Sequence, residues 1–80
     1  MPVELTLPAL SPSTDYATVL RWLKREGDLV SAGEVVVEVE ADKANCEIEA
    51  SVGGVLQSVL AVEGDEVSTG GVLALIEPRS

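Results

Sequence analysis

The segment Arg25-Glu26-Gly27-Asp28-Leu29-Val30-Ser31-Ala32-Gly33 returns, with substitutions, as Val62-Glu63-Gly64-Asp65-Glu66-Val67-Ser68-Thr69-Gly70, an offset of 37 residues. Upstream of each copy lies a stretch of strand composition, Thr18 to Arg21 and Gly54 to Gln57, and the two stretches match once a one-residue gap is allowed. Each copy also leads into another such stretch, Val35 to Val39 and Val72 to Ile76. A repeat of strand, Gly-Asp turn, short strand, turn and strand confines the chain to two similar halves. Two units are too few to stack as a solenoid, so the halves are expected to close on one another about an approximate two-fold axis. Gly27, Gly33, Gly64 and Gly70 should then occupy equivalent turns.

Hydrophobic patterning gives the element type. Val35, Val37 and Val39 alternate with Glu38 and Glu40 toward the other face, and Cys46, Ile48 and Ala50 alternate with Asn45, Glu47 and Glu49. Period two over two adjacent stretches indicates half-buried antiparallel strands. Pro8 and Pro12 end the first strand and open an exposed loop through Tyr16. No window carries a convincing helical stripe. About eight short strands are expected, with a core of Val19, Leu20, Val35, Val37, Val39, Ile48, Val55, Leu56, Leu60, Val72 and Ile76. At 80 residues and 46% hydrophobic, the chain supports one small domain and one core. That core is aliphatic, since Phe is absent and Trp22 and Tyr16 are the aromatic residues. Residues 1–77 are read as the domain and 78–80 as the start of a linker.

Fourteen acids face five bases, for a net charge of −9. Nucleic acid and anionic membrane surfaces are both held by clustered Lys and Arg, so neither suits this chain as a partner. The charge keeps the surface solvated and the domain monomeric, or else meets a basic patch on a partner enzyme. There is no histidine and one cysteine, Cys46. Zinc, haem and iron–sulfur sites each need several such ligands, and His-dependent nucleophilic triads are ruled out. Cys46 reads as a small inward-facing residue. A lone cysteine, with no signal peptide or bilayer-length apolar run, fits a reducing compartment, either a bacterial cytoplasm or a mitochondrial matrix. Paired carboxylates are plentiful, but Glu38, Glu40, Glu47 and Glu49 lie on the exposed strand faces. So small a domain has little room for the concave site that catalysis by them would need. The chain is read as non-catalytic.

Attention then falls on Lys43, one of two lysines. It sits at the turn between the two alternating stretches, in Glu40-Ala41-Asp42-Lys43-Ala44. On spacing alone it is a solubilising turn lysine, as Lys24 is. The turn itself argues for more. A tight hairpin prefers Asn-Gly or Asp-Gly, and Asp-Lys gives up that preference to place a long amine at the tip. Ala41 and Ala44, both small, are expected to leave the amine open to a modifying enzyme.

Four segments in order resemble the lipoyl domains of the dihydrolipoamide acyltransferases of 2-oxo acid dehydrogenase complexes, most closely those of the pyruvate type. They are Pro8 to Pro12 (Pro-Ala-Leu-Ser-Pro), Trp22 to Asp28, Glu40 to Ala44, and Glu63 to Gly70 with its Glu-Gly-Asp. The resemblance implies a flattened all-β barrel or sandwich of two four-stranded antiparallel sheets. It also implies lipoic acid joined by an amide to Lys43, with Glu40, Asp42 and Ala44 forming the motif read by a lipoate-attaching enzyme. The implied function is a swinging-arm carrier. An acyl group is received from a thiamin-diphosphate 2-oxo acid decarboxylase and passed to coenzyme A at an acyltransferase catalytic domain. Dihydrolipoyl dehydrogenase then reoxidises the dithiol.

The chain departs from the family in two places. Ala41 stands where Thr or Ser is frequent before the Asp, and Tyr16-Ala17 stands where Gly is common at the start of the second strand. The second departure lies in the loop Ser11-Pro12-Ser13-Thr14-Asp15-Tyr16. By resemblance this loop lies beside the hairpin and reads the partner decarboxylase, although it also serves as a plain connection. The competing identity is a biotinyl carrier domain of a biotin-dependent carboxylase, whose motif flanks the lysine with methionine; here the neighbours are Asp42 and Ala44. An unmodified barrel-sandwich adaptor is the further alternative.

Overall fold

The computed structural model describes residues 1–79, which form eight strands and no helix. They are β1 (Val3–Thr6), β2 (Tyr16–Trp22), β3 (Leu29–Val30), β4 (Val35–Ala41), β5 (Ala44–Glu49), β6 (Gly54–Val59), β7 (Glu66–Ser68) and β8 (Val72–Pro78). Two four-stranded antiparallel sheets pack face to face, in the orders β1-β8-β6-β3 and β5-β4-β2-β7.

Replacing β2, β3, β4 and β5 by β6, β7, β8 and β1 turns one sheet order into the other, which is the two-fold relation the repeat predicts. The hydrogen bonds obey it pair by pair. The Gly27 N–H donates to Leu56 O at 2.7 Å, and the Gly64 N–H to Val19 O at 2.9 Å. The Arg25 N–H donates to Asp28 Oδ2 at 2.8 Å, and the Val62 N–H to Asp65 Oδ2 at 2.9 Å. All four predicted turn glycines have positive φ, between 86° and 95°. This is backbone that a Cβ disfavours. Each half lends its short strand to the other half's sheet, β3 beside β6 and β7 beside β2. The halves are therefore interlocked.

Irregularities repeat too. The β2–β4 pairing slips between Val19 and Arg21, and the β6–β8 pairing between Leu56 and Ser58. A slip between Val35 and Val37 in β4 matches one where β8 passes from Ala74 to Val72 opposite β1. These bulges correct the expected core, because a residue inserted in one strand breaks strict alternation. Val36 and Val37 are both buried, as are their counterparts Leu73 and Ala74, while Val35 and Val72 are half-buried. Leu20 and Val55 are also half-buried, and Leu60 is 54% exposed rather than a core residue. Leu60 lies just past β6, in a bend whose N–H donates to Leu73 O. Leu5, Leu7, Ala17, Val30, Ala41, Ala50 and Ala61 complete the core instead.

Gly54 marks a close approach. A Cβ there would collide with the backbone carbonyl of Glu77, across the β6–β8 ladder. β8 continues through Pro78, one residue past the boundary expected at 77, and the Arg79 N–H donates to Gly53 O at 3.2 Å. Of the expected linker, Ser80 lies outside the described residues. The two-fold operation carries the β4–β5 hairpin onto the chain ends, where the Met1 amine lies 3.8 Å from Glu77 Oε1. Tip and termini thus sit at opposite ends of a molecule measuring 37 × 21 × 17 Å.

Candidate functional site

The long strands β4 and β5 pair in register up to Ala41 and Ala44, leaving Asp42 and Lys43 as the two turn residues. Their φ values are 50° and 64°. Positive φ at both central positions defines the type I′ turn, whose twist matches that of the flanking strands. The geometry is the one that Asn-Gly serves best. Asp tolerates it better than most residues, but a lysine there carries a backbone cost of about 1 kcal/mol.

The Lys43 side chain is exposed and has no ion-pair or hydrogen-bond partner among the described residues. Lys24 differs: its Nζ lies 2.9 Å from Glu34 Oε2. The hydrogen bond from Lys24, then one from the Ser31 N–H, holds the Glu34 carboxyl below its ordinary value of 4.5. Of the two lysines, one amine is engaged and one is free. Ala44 is exposed, as expected, but Ala41 is 7% exposed and belongs to the core, so it does not open space around the amine. It is the last inward position of β4.

The loop Ser11 to Tyr16 lies against this tip. Pro12, Ser13, Asp15 and Tyr16 are exposed, Ser11 is half-buried, and Thr14 is buried. Thr14 Oγ1 donates to Asp42 Oδ2 at 2.5 Å and lies 2.6 Å from Ser11 Oγ. Between loop and hairpin is an open depression of ≈ 300 Å³, with Ser13 to Tyr16 on one bank and Asp42 and Lys43 on the other. Thr18, Glu40 and Glu66 also line it. Glu66 was not among the residues expected here. It arrives from the second half because β7 pairs with β2, placing Glu66 opposite Thr18. Nothing in the sequence near Lys43 announces this; it follows only from the strand exchange between halves.

Glu40 is exposed and stands opposite Thr18 and Asn45 on the outer sheet face. Glu38 and Glu47 are directly paired across β4 and β5, and Glu38 accepts from Arg21 Nε at 2.7 Å. These carboxylates form a surface patch across the edge strand β5 and its inner neighbour β4, not a concave acid–base pair. Cys46 is half-buried against the core. A second cleft, of ≈ 360 Å³, runs between the edge strands β1 and β5 and is lined by glutamates, hydroxyls and aliphatic groups. It contains no amine, thiol or imidazole.

The site therefore offers one nucleophilic amine at a rigid, projecting turn with a polar loop fixed beside it. Covalent attachment of a carboxylic acid to that amine fits the arrangement, since no side chain is bonded across it.

A model of the biotin/lipoyl family, described as that of a biotin-requiring enzyme, matches residues 3–76. The chain is 48% identical over 66 residues to the pyruvate dehydrogenase E1 component subunit beta of Rhizobium meliloti, covering 82% of this chain and 14% of that protein. It is 44% identical over 66 residues to the dihydrolipoyllysine-residue acetyltransferase component of the pyruvate dehydrogenase complex of Rickettsia bellii, covering 82% and 16%. Among solved structures it resembles the lipoyl domain of the dihydrolipoyl succinyltransferase of the Escherichia coli 2-oxoglutarate dehydrogenase complex. That match has 38% identity, a TM-score of 0.79 and full coverage of both chains. The Kluyveromyces lactis urea carboxylase matches with a TM-score of 0.82 at 25% identity, over 96% of this chain and 6% of the other. The chain thus spans about a seventh of the curated relatives it matches.

Proposed function

The chain belongs to the biotin/lipoyl family and is a lipoyl carrier domain, and we propose that Lys43 is the residue on which it carries lipoic acid. The observation behind this assignment is the contrast between the two lysines: Lys43 is free at a type I′ tip, while Lys24 is bound to Glu34. Asp42 and Ala44, not methionines, flank Lys43, which favours lipoate over biotin.

When bound, the lipoyl group supplies a dithiolane that accepts electrons and an acyl group together. The residues of this chain hold and present it. Amide formation at Lys43 Nζ removes the ammonium charge and leaves the four-carbon stem as a flexible arm on a rigid base. The stiff sheet beneath fixes where that arm starts, so each transfer between enzymes becomes effectively intramolecular. Glu40, Asp42 and Ala44 are the neighbours that a lipoate-attaching enzyme reads. The exposed part of the loop 11–16 is read by the thiamin-diphosphate decarboxylase. The acyltransferase catalytic domain and dihydrolipoyl dehydrogenase are the remaining partners in a 2-oxo acid dehydrogenase complex.

Intact mass of the protein produced with a lipoate-attaching enzyme tests the assignment. One lipoyl addition is expected on the wild type and on Lys24→Ala, and none on Lys43→Ala. Retention of the addition in Lys43→Ala would overturn it.

A further inference from the structure

We propose that Thr14 is a positioning residue, whose buried hydroxyl makes the loop 11–16 and the Asp42-Lys43 turn a single recognition surface. The proposal rests on the reading of Lys43 as the lipoyl-bearing lysine. Thr14 is 9% exposed, the one buried polar side chain among the described residues, while its loop neighbours Ser13 and Asp15 face water. It is therefore placed to hold the surface together and not to be read by a partner.

The direction of its hydrogen bonds is fixed by proton count. Thr14 Oγ1 gives its only proton to Asp42 Oδ2 at 2.5 Å. The contact of 2.6 Å with Ser11 Oγ must then be a bond that Thr14 accepts. Ser11, having given its proton, accepts from Ser13 Oγ at 3.5 Å, the weakest link. Three hydroxyls thus point in sequence at one carboxylate, and each bond polarises the next. The Thr14 carbonyl accepts from Thr69 Oγ1 at 3.4 Å, and the Asp15 carbonyl from the Thr69 N–H at 2.9 Å. Three segments distant in sequence meet at this residue: the β1–β2 loop, the lysine hairpin, and the turn between β7 and β8.

Thr14 acts through Asp42. Asp42 occupies the first positive-φ position of the turn, at 50°. Aspartate holds that conformation well when its carboxylate has a nearby partner, and here the partner comes from the loop. Without the Thr14 hydroxyl the carboxylate is free to turn over the depression, and loop and lysine move independently. A partner enzyme would then have to order both on binding, which costs affinity and leaves the transfer chemistry unchanged.

The test compares lipoylated wild type, Thr14→Val and Thr14→Ser by amide hydrogen exchange and by reductive acylation. Pyruvate and 2-oxoglutarate decarboxylases are assayed in parallel, and the one that acylates the wild type is used for the variants. Loss of one charge-assisted hydrogen bond should speed exchange of the Ala41 and Ala44 amides, the pair that closes the turn, about tenfold in Thr14→Val, and leave Val36 to Val39 unchanged. The KM for the domain should rise about tenfold with kcat within about twofold. Thr14→Ser should restore both. Unchanged exchange at the tip, a rise spread evenly over the sheet, or failure of Thr14→Ser to restore would overturn the proposal. If Thr14→Val does not fold, Asp42→Ala removes the acceptor at an exposed position and should give the same local signature; normal exchange in that variant would also overturn it. If the wild type carries no lipoyl group on Lys43, the functional reading falls, and the exchange comparison on the unmodified chain still decides the coupling.

Discussion

Lys43 occupies a backbone conformation that suits glycine, with φ at 64°. A residue chosen for stability would not be lysine. Lys43→Gly is therefore expected to stabilise the domain by about 1 kcal/mol, raising Tm by roughly 4–8 °C for a chain of this size, while abolishing lipoylation. Trp22 is the only tryptophan, and its Nε1 donates to Ala61 O at 2.7 Å, so its fluorescence reports the unfolding. A lower Tm in Lys43→Gly would remove the argument that the tip is strained to present an amine. The other lysine predicts a different signature. Glu34 is held below 4.5 chiefly by Lys24, so this pair contributes stability above pH 4.5 that is lost as pH falls through the lowered value. Lys24→Ala should narrow the stability difference between about pH 6 and about pH 3, measured by denaturant titration, and leave modification of Lys43 intact. An unchanged difference would mean that the pair does not couple to folding.

Among the elements, the repeat carried more information than the alternation did. Strand type, the four turn glycines and the two-fold relation were legible because each is encoded twice in the sequence. The core was less legible. Strict period two placed Val35 and Val72 inside and passed over Val36 and Leu73, because a bulge leaves no mark in a run of aliphatic residues. Leu60 was misplaced because hydropathy does not register that the chain bends away after β6. The glycines sort by mechanism. Gly27 and Gly64 have positive φ with nothing near a built Cβ, so Gly27→Ala and Gly64→Ala should each cost about 1 kcal/mol, with equal values expected from their equivalence. Gly54→Ala instead drives a methyl into the Glu77 carbonyl and should cost about 3 kcal/mol by forcing β6 and β8 apart. Chemical denaturation ranks the three. A Gly54→Ala as mild as the other two would mean that the ladder yields easily.

At the scale of the whole molecule, the exchange of short strands means that neither half is a folding unit, and the lysine tip lies at the far end of the long axis from the chain termini. The tip itself was legible in the sequence: Lys43 and its turn stand where the residues placed them, and the adjacent loop stands where the family resemblance placed it. What was not legible is what couples them. Thr14 looked like one more polar loop residue, and only the folded chain turns it inward onto Asp42. Glu66 reaches the same depression by a strand pairing that spans the two halves. The depression collects Asp15, Glu40, Asp42 and Glu66 around one lysine, on a chain of net charge −9. A partner with a basic site mouth should therefore acylate the domain more slowly as salt rises from about 0.01 M to about 0.15 M, chiefly through the association rate.

The central claim is that this fold presents one lysine for one modification. Its most direct test is to offer the chain lipoate and biotin together with both attaching enzymes, and to locate the product by fragment mass spectrometry. A single lipoyl amide on Lys43 and an unmodified Lys24 are the expected result. Biotin on Lys43, or lipoate on Lys24, would contradict it.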